Sequence, residues 1–212
     1  MDIPALENSV SAHLPEPFLA SVVRSVFLAR QMAHQACRTE FDDTEALNVE
    51  PFYLRGKVES LLRDAAKLHK GLGTSVVNSS GWNHTEISAG PIVLTAHAVD
   101  SPCAMVPDAM YRKSLAESQA SFFDPAEQIP GARLYALLIH SPFNPIPGRG
   151  KKEFGYLPGS VYLAFPEVAL KRYAHAINLY DKFPALIESL LPKEWDEKAR
   201  LAYRWRARQR SA

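Results

Sequence analysis

Three histidines fall on segments whose residue pattern predicts β-strands: His84, His97 and His140. Imidazole changes charge near neutral pH, so it can take or give a proton under ordinary conditions. His84 and Glu86 are two positions apart, and a strand puts both on one face, where the carboxylate can orient the ring. His97 shares its face with Val93 and Thr95, and His140 ends a strand where a long loop begins. Tyr111 and Arg112, on an intervening predicted helix, add a hydroxyl donor and a permanent cation. Two histidines with an Arg or Tyr suffice for metal-free phosphodiester cleavage: one ring takes a proton, the other gives one, and the cation stabilises the developing charge. The same residues are also compatible with packing alone. No spacing among them matches a known ligand set, so no metal and no cofactor is expected.

Two basic segments stand apart. The loop 141–159 centres on Gly148-Arg149-Gly150-Lys151-Lys152 and carries Phe143, Phe154 and Tyr156 nearby. Its glycines would let a backbone approach a ligand closely, Arg149, Lys151 and Lys152 would attract phosphate, and the aromatics could stack on bases. The C-terminal stretch 193–212 concentrates Arg204, Arg206 and Arg208, with Arg200 and Arg210, beside Trp195, Tyr203 and Trp205. Arginines on a helix with aromatics suit a phosphate backbone, an acidic protein partner, or simply a solvated end helix whose rings plug the core. Trp82, after Gly81, reads as a turn anchor packed on the core, with presentation to a ligand as the alternative.

These residues must be positioned by elements legible in the periodicity. Residues 17–38 and about 48–71 predict two helices, with apolar stripes Phe18, Leu19, Val22, Val23, Val26 and Leu54, Val58, Leu61, Leu62, Ala65, Leu68. Asn48 or Pro51 would start the second, Glu59 and Arg63 would pair along it, and Gly71 would stop it. The acidic stretch 39–48 reads as a loop, and both helices carry only packing signals. From residue 73 the period changes. Strands are expected at 74–78, 84–88, 92–99, 132–140 and 160–165, with a hairpin across Ala89-Gly90-Pro91. The run 132–140 is apolar on both faces and belongs in the middle of a sheet covered on both sides. A helix at 108–121, capped by Asp108, interrupts the strands, and a helix from Pro166 to about Asp181 follows them. This grouping predicts an α+β fold: a largely antiparallel sheet of about five strands over residues 73–165, flanked by N-terminal and C-terminal helices, in a single domain over 1–212.

Bulk properties bound the rest. The chain has 212 residues, 47% hydrophobic and 22% charged, with a net charge of +1. Folding a chain of this length buries about 70% of its unfolded surface, enough for a core without staples. The nearly neutral total means that electrostatic recognition must come from local patches. Cys37 and Cys103 are too few for a disulfide framework, which suits a reducing compartment. No signal peptide is read at the start, and Arg24 and Arg30 interrupt the most apolar helix, so a cytoplasmic protein without membrane contact is expected. Phosphate-loop, dinucleotide, zinc-protease and hydrolase-elbow motifs are absent from the sequence. The leading expectation is contact with nucleic acid or another phosphorylated ligand through the 148–152 loop and the C-terminal arginines. The alternatives are a metal-independent nuclease or other hydrolase using the strand histidines, and a protein-interaction module such as an inhibitor, an antitoxin-like partner or an assembly subunit. Oligomeric state is left open.

Overall fold

The computed structural model describes residues 3–79, 81–102, 104–119, 133–143 and 156–209, the last six as backbone alone. Helices α1 (Ile3–His13), α2 (Glu16–Glu40) and α3 (Asp43–Lys67) precede strands β1 (Leu72–Ser79), β2 (Trp82–Ala89) and β3 (Ile92–Ala98). Helix α4 (Met110–Ser118) intervenes before β4 (Leu134–Pro142), β5 (Pro158–Pro166) and β6 (Tyr173–Asn178). Three short C-terminal helices follow: α5 (Leu179–Lys182), α6 (Pro184–Leu190) and α7 (Glu197–Gln209).

The six strands lie side by side in chain order. Strands β1–β2–β3 form one antiparallel meander and β4–β5–β6 another. The two halves meet in a single parallel seam, β3 against β4, with Ala98 opposite His140. The chain between β3 and β4 therefore crosses back over the sheet, and α4 lies on that crossover, against β4. The hairpin at Ala89–Ile92 uses a two-residue turn. Gly90 has φ +56, and a Cβ there would lie 2.5 Å from the His13 ring, so glycine serves both the turn and the approach of α1.

Side-chain alternation places the core on both faces. Leu134, Ala136 and Leu138 join Phe18, Val22, Phe27, Val58 and Leu62 under α2 and α3. Tyr135, Leu137 and Ile139 join Ala116 of α4 on the other face. Strand β4 is buried from Leu134 to Ser141, which is why its sequence reads apolar without alternation. Each such Leu, Phe or Ile contributes on the order of 1.5–3 kcal/mol.

The α+β architecture matches the sequence expectation, and several boundaries differ. Helix α1 was not foreseen; its Leu6 and Val10 with Leu14 beyond it are fully or nearly buried at four-residue spacing. The expected 39–48 loop shrinks to the break between Glu40 and Asp43. Acidic Asp43 and Glu45 favour the first turn of α3, and Arg38 holds Asp43 across the break. Asn48 and Pro51 thus lie inside α3 rather than at its start. The α4 N-cap is Ala109, not Asp108, which pairs with Lys113 at 3.4 Å. The largest difference follows Pro166. Instead of a helix to Asp181, a tight turn closed by the Arg172–Glu167 pair leads into β6. Strand β5 is buried along its whole length, and β6 supplies the hydrogen bonds its second edge would otherwise lack. Ala174, His175, Ala176 and Ile177 fit either period, and the sheet edge decides.

Cys37 is buried in α2, and Cys103 lies outside the described residues. Among the described residues no helix is long and apolar enough to cross a membrane. At the C-terminus, Tyr203 of α7 is buried against Trp195 and Tyr180, and its hydroxyl shares the Pro158 carbonyl with that of Tyr180. Arg200 is consumed locally by Glu188 and the Pro192 and Trp195 carbonyls.

Candidate functional site

The sheet is split beside its seam. Strand β2 pairs with β3 from Ala89–Ile92 to Ile87–Leu94 and no further. Trp82 to Glu86 pair with β1 alone, while Thr95 to Ala98 pair with β4 alone. In this register the main-chain groups of Ala96 and Ala98 point toward the missing neighbour. Helix α3 fills part of the gap with a row of polar side chains one turn apart. Arg55 donates to the Asn83 carbonyl at 2.9 Å, and Arg63 donates to Thr85 Oγ1 at 2.6 Å. Glu59 accepts from Arg55 at 3.2 Å and from Thr85. The expected Glu59–Arg63 pair is thus exchanged for contacts to β2. A cavity of about 330 Å³ remains, lined by Phe52, Arg55, Trp82, Ala96, His97 and His140 among others. Trp82 is not the core anchor expected: it is 59% exposed, with the Arg55 guanidinium 5.4 Å from its ring centre.

On the face covered by α4, the sequence candidates converge. Arg112 donates to His97 Nδ1 at 2.9 Å and to the Pro107 carbonyl. His84 stacks on Tyr111, ring centres 3.9 Å apart, and its Nε2 lies 3.2 Å from Glu86. Thr95 and Tyr135 share a hydroxyl–hydroxyl bond of 2.9 Å in the interior. Burial raises the Tyr135 and Tyr111 hydroxyls above their usual range, so both stay protonated.

On the face covered by α2 and α3, His140 meets a partner from a helix read as packing only. Arg30 lies 3.0 Å from His140 Nδ1 and is 6% exposed. Arg30, His34 and Arg38 are one turn apart on α2 and line a second cavity of about 740 Å³. Arg38 bonds to Asp43, and His34 lies 3.6 Å from Glu50 and against the Tyr156 ring. Arg30 makes no ion pair among the described residues, and its buried Nε has no hydrogen-bond partner. Both cavities border Pro51 and Ala98, so they adjoin at the carboxyl ends of β3 and β4. That is the end of parallel strands where α/β sheets place ligands.

Donor chemistry fixes the histidines. A guanidinium only donates. His97 and His140 must therefore accept at Nδ1, which leaves the ring proton on Nε2. Desolvation first, then Arg112 and Arg55, lower His97 to about 4. Desolvation first, then Arg30 and His97, hold His140 well below the usual imidazole range. Both rings are neutral near pH 7 and present an N–H, not a base, at Nε2. Burial lowers Arg30 only to about 10, opposed by Tyr180, Glu50 and Tyr203, so it stays charged. A desolvated cation on which Glu50 acts only without a contact ion pair still costs several kcal/mol.

Of the sequence candidates, His84, His97, Tyr111 and Arg112 thus gather on one face, and His140 stands one register position away on the other. Arg149, Lys151 and Lys152 lie outside the described residues. Arg204, Arg206 and Arg208 fall on α7, with side chains outside the description. Residues not singled out from the sequence are Arg30, His34, Arg38, Arg55 and Glu50. Their signal was a polar row at four-residue spacing opposite or beside each apolar stripe. Among the described residues no cluster of His, Cys, Asp and Glu is arranged to hold a metal. No protein family, no curated protein and no solved structure matches the chain.

Proposed function

We propose that the protein binds a phosphorylated ligand in the cleft formed by the two adjoining cavities, with Arg30 as the anchoring cation. The carrying observation is the Arg30 side chain: it lines the larger cavity, is 6% exposed, and is bound to a neutral imidazole with no ion pair among the described residues. A phosphoryl group there would supply a contact countercharge and accept charge-assisted hydrogen bonds from the guanidinium. The Nε2–H of His140 and the paired Arg38 are further donors close by. Asp100, exposed on the same cavity, and Glu50 keep the rim from being uniformly basic. The reading keeps the phosphate chemistry expected of the sequence and moves its centre from the basic segments to the carboxyl ends of β3 and β4.

A hydrolytic role, centred on the face under α4 and not on the two cavities, draws on one observation. Glu86 faces His84 Nε2 and leaves a buried Nδ1 without a partner, the arrangement of an oriented base. His97 and His140 add little to it, because each gives its basic nitrogen to an arginine. Binding is therefore the primary reading.

Thermal unfolding with and without inorganic phosphate or pyrophosphate tests it. A ligand that binds the folded state raises Tm with concentration. Phosphate should stabilise the wild type and leave Arg30→Met unmoved. An unchanged wild-type Tm at millimolar pyrophosphate and low salt ends the proposal.

A further inference from the structure

The larger cavity explains a phosphate and leaves the smaller one without an occupant. Arg30 is bonded to His140, and His140 lines the smaller cavity together with Trp82 and Phe52. The two cavities share Pro51 and Ala98, and the Arg30–His140 pair joins a wall of one to a wall of the other, where the aromatic rings stand. Trp82 and Phe52 are 59% and 65% exposed and both line this cavity, so their rings are open to an occupant. Arg55 lies over Trp82 and leaves most of the indole in solvent. Beside these rings, the split in the sheet leaves Ala96 with a main-chain donor and acceptor that no β2 residue engages.

These three features, a buried cation, an open aromatic platform and main-chain polar groups that β2 leaves unpaired, suit the parts of one chemical class. We propose that the cleft takes a nucleoside monophosphate unit, its phosphate on Arg30 and its base against Trp82. Every base offers a face to an indole and a hydrogen-bonding edge to a strand's N–H and C=O. The volumes, about 740 and about 330 Å³, lie within or near the range of small-molecule sites. The unit is either a free nucleotide or the phosphorylated end of a single strand. The inference rests on the phosphoryl-binding reading above and adds the base.

Isothermal titration of the full chain with AMP, ribose 5-phosphate and adenosine separates the two claims. AMP should bind more tightly than ribose 5-phosphate by about five- to a hundredfold, the usual worth of one stacked base. Trp82→Leu should erase that margin and leave ribose 5-phosphate binding unchanged; this residue is exposed, so the fold is not at stake. Arg30→Met, checked for native circular dichroism, should weaken both phosphates at least tenfold. Equal affinity for AMP and ribose 5-phosphate, or a margin that survives Trp82→Leu, overturns the nucleotide inference and leaves phosphate binding standing. No binding of either phosphate overturns both. A 5′-phosphorylated oligodeoxynucleotide that binds more tightly than AMP supports the unit at a strand end, and equal or weaker binding supports the free nucleotide.

Discussion

The two faces of the β3–β4 seam carry the same pair of groups, a buried guanidinium beside an imidazole Nδ1, and finish them differently. Under α4, Arg112 gives one nitrogen to His97 and another to the Pro107 carbonyl, and lies against the Tyr111 ring. Under α2 and α3, Arg30 has His140 and a cavity. The first pair ties a loop and a helix to the sheet. Each arginine keeps a buried Nε without a partner among the described residues, but of the two Arg30 is the one that lines a cavity. The difference teaches that a buried arginine's partners, more than its burial, separate a fastening from a binding group.

The comparison can be broken by substitution. The largest effect is expected at the fastening: Arg112→Ala strands a half-buried imidazole acceptor and a carbonyl, a loss of about 3 kcal/mol in urea denaturation. Acid should act next, on both pairs together. His97, at about 4 when folded against about 6.5 when unfolded, binds a proton in the unfolded chain first, and His140 shifts the same way. Stability is full above about pH 6.5 and falls as pH drops toward 4, the unfolded state holding more protons throughout. Denaturation midpoints at pH 5 and 7 should differ accordingly, and His97→Gln should shrink the difference. An inverse pH dependence would remove the neutral-imidazole assignment. Arg30→Met should change ligand-free stability by only about 1 kcal/mol, since relief of a desolvated charge offsets the lost bond to His140. A loss as large as that of Arg112→Ala would make Arg30 a second fastening and collapse the contrast. The smallest effect belongs to Arg55→Ala, about 0.5 kcal/mol, because its pair with Glu59 is partly exposed; a shift in tryptophan emission from loss of the guanidinium over Trp82 would register it.

The sequence made some of this readable and concealed the rest for physical reasons. Strand β4 announced itself by an apolar run, and the Ala89–Ile92 hairpin by its Gly-Pro turn. His140 was legible as a strand end where a long loop begins; it and Pro142 lie on the cavity walls. Arg30 was legible only as an interruption of an apolar helix. Its meaning depends on a strand residue 110 positions away, which local periodicity does not encode. The α3 row at Arg55, Glu59 and Arg63 looked like ordinary helix-surface pairing. The incomplete β2–β3 ladder gave it something else to bind. Strand β6 was hidden because 173–178 has no strong period of its own and takes its conformation from the edge of β5.

The parallel seam also has a kinetic meaning. Each meander closes through adjacent strands, but Ile92 must find Leu134 across the intervening crossover chain. Joining the halves is the costliest loop closure in the sheet and so a slow step on topological grounds. His97 belongs to one half and His140 to the other, so neither meander alone contains the cleft. The site comes into being only when the halves dock, which makes ligand competence a direct report on completion of folding. A refolding experiment that follows phosphate binding should track the slowest phase, not the earlier gain of strand signal.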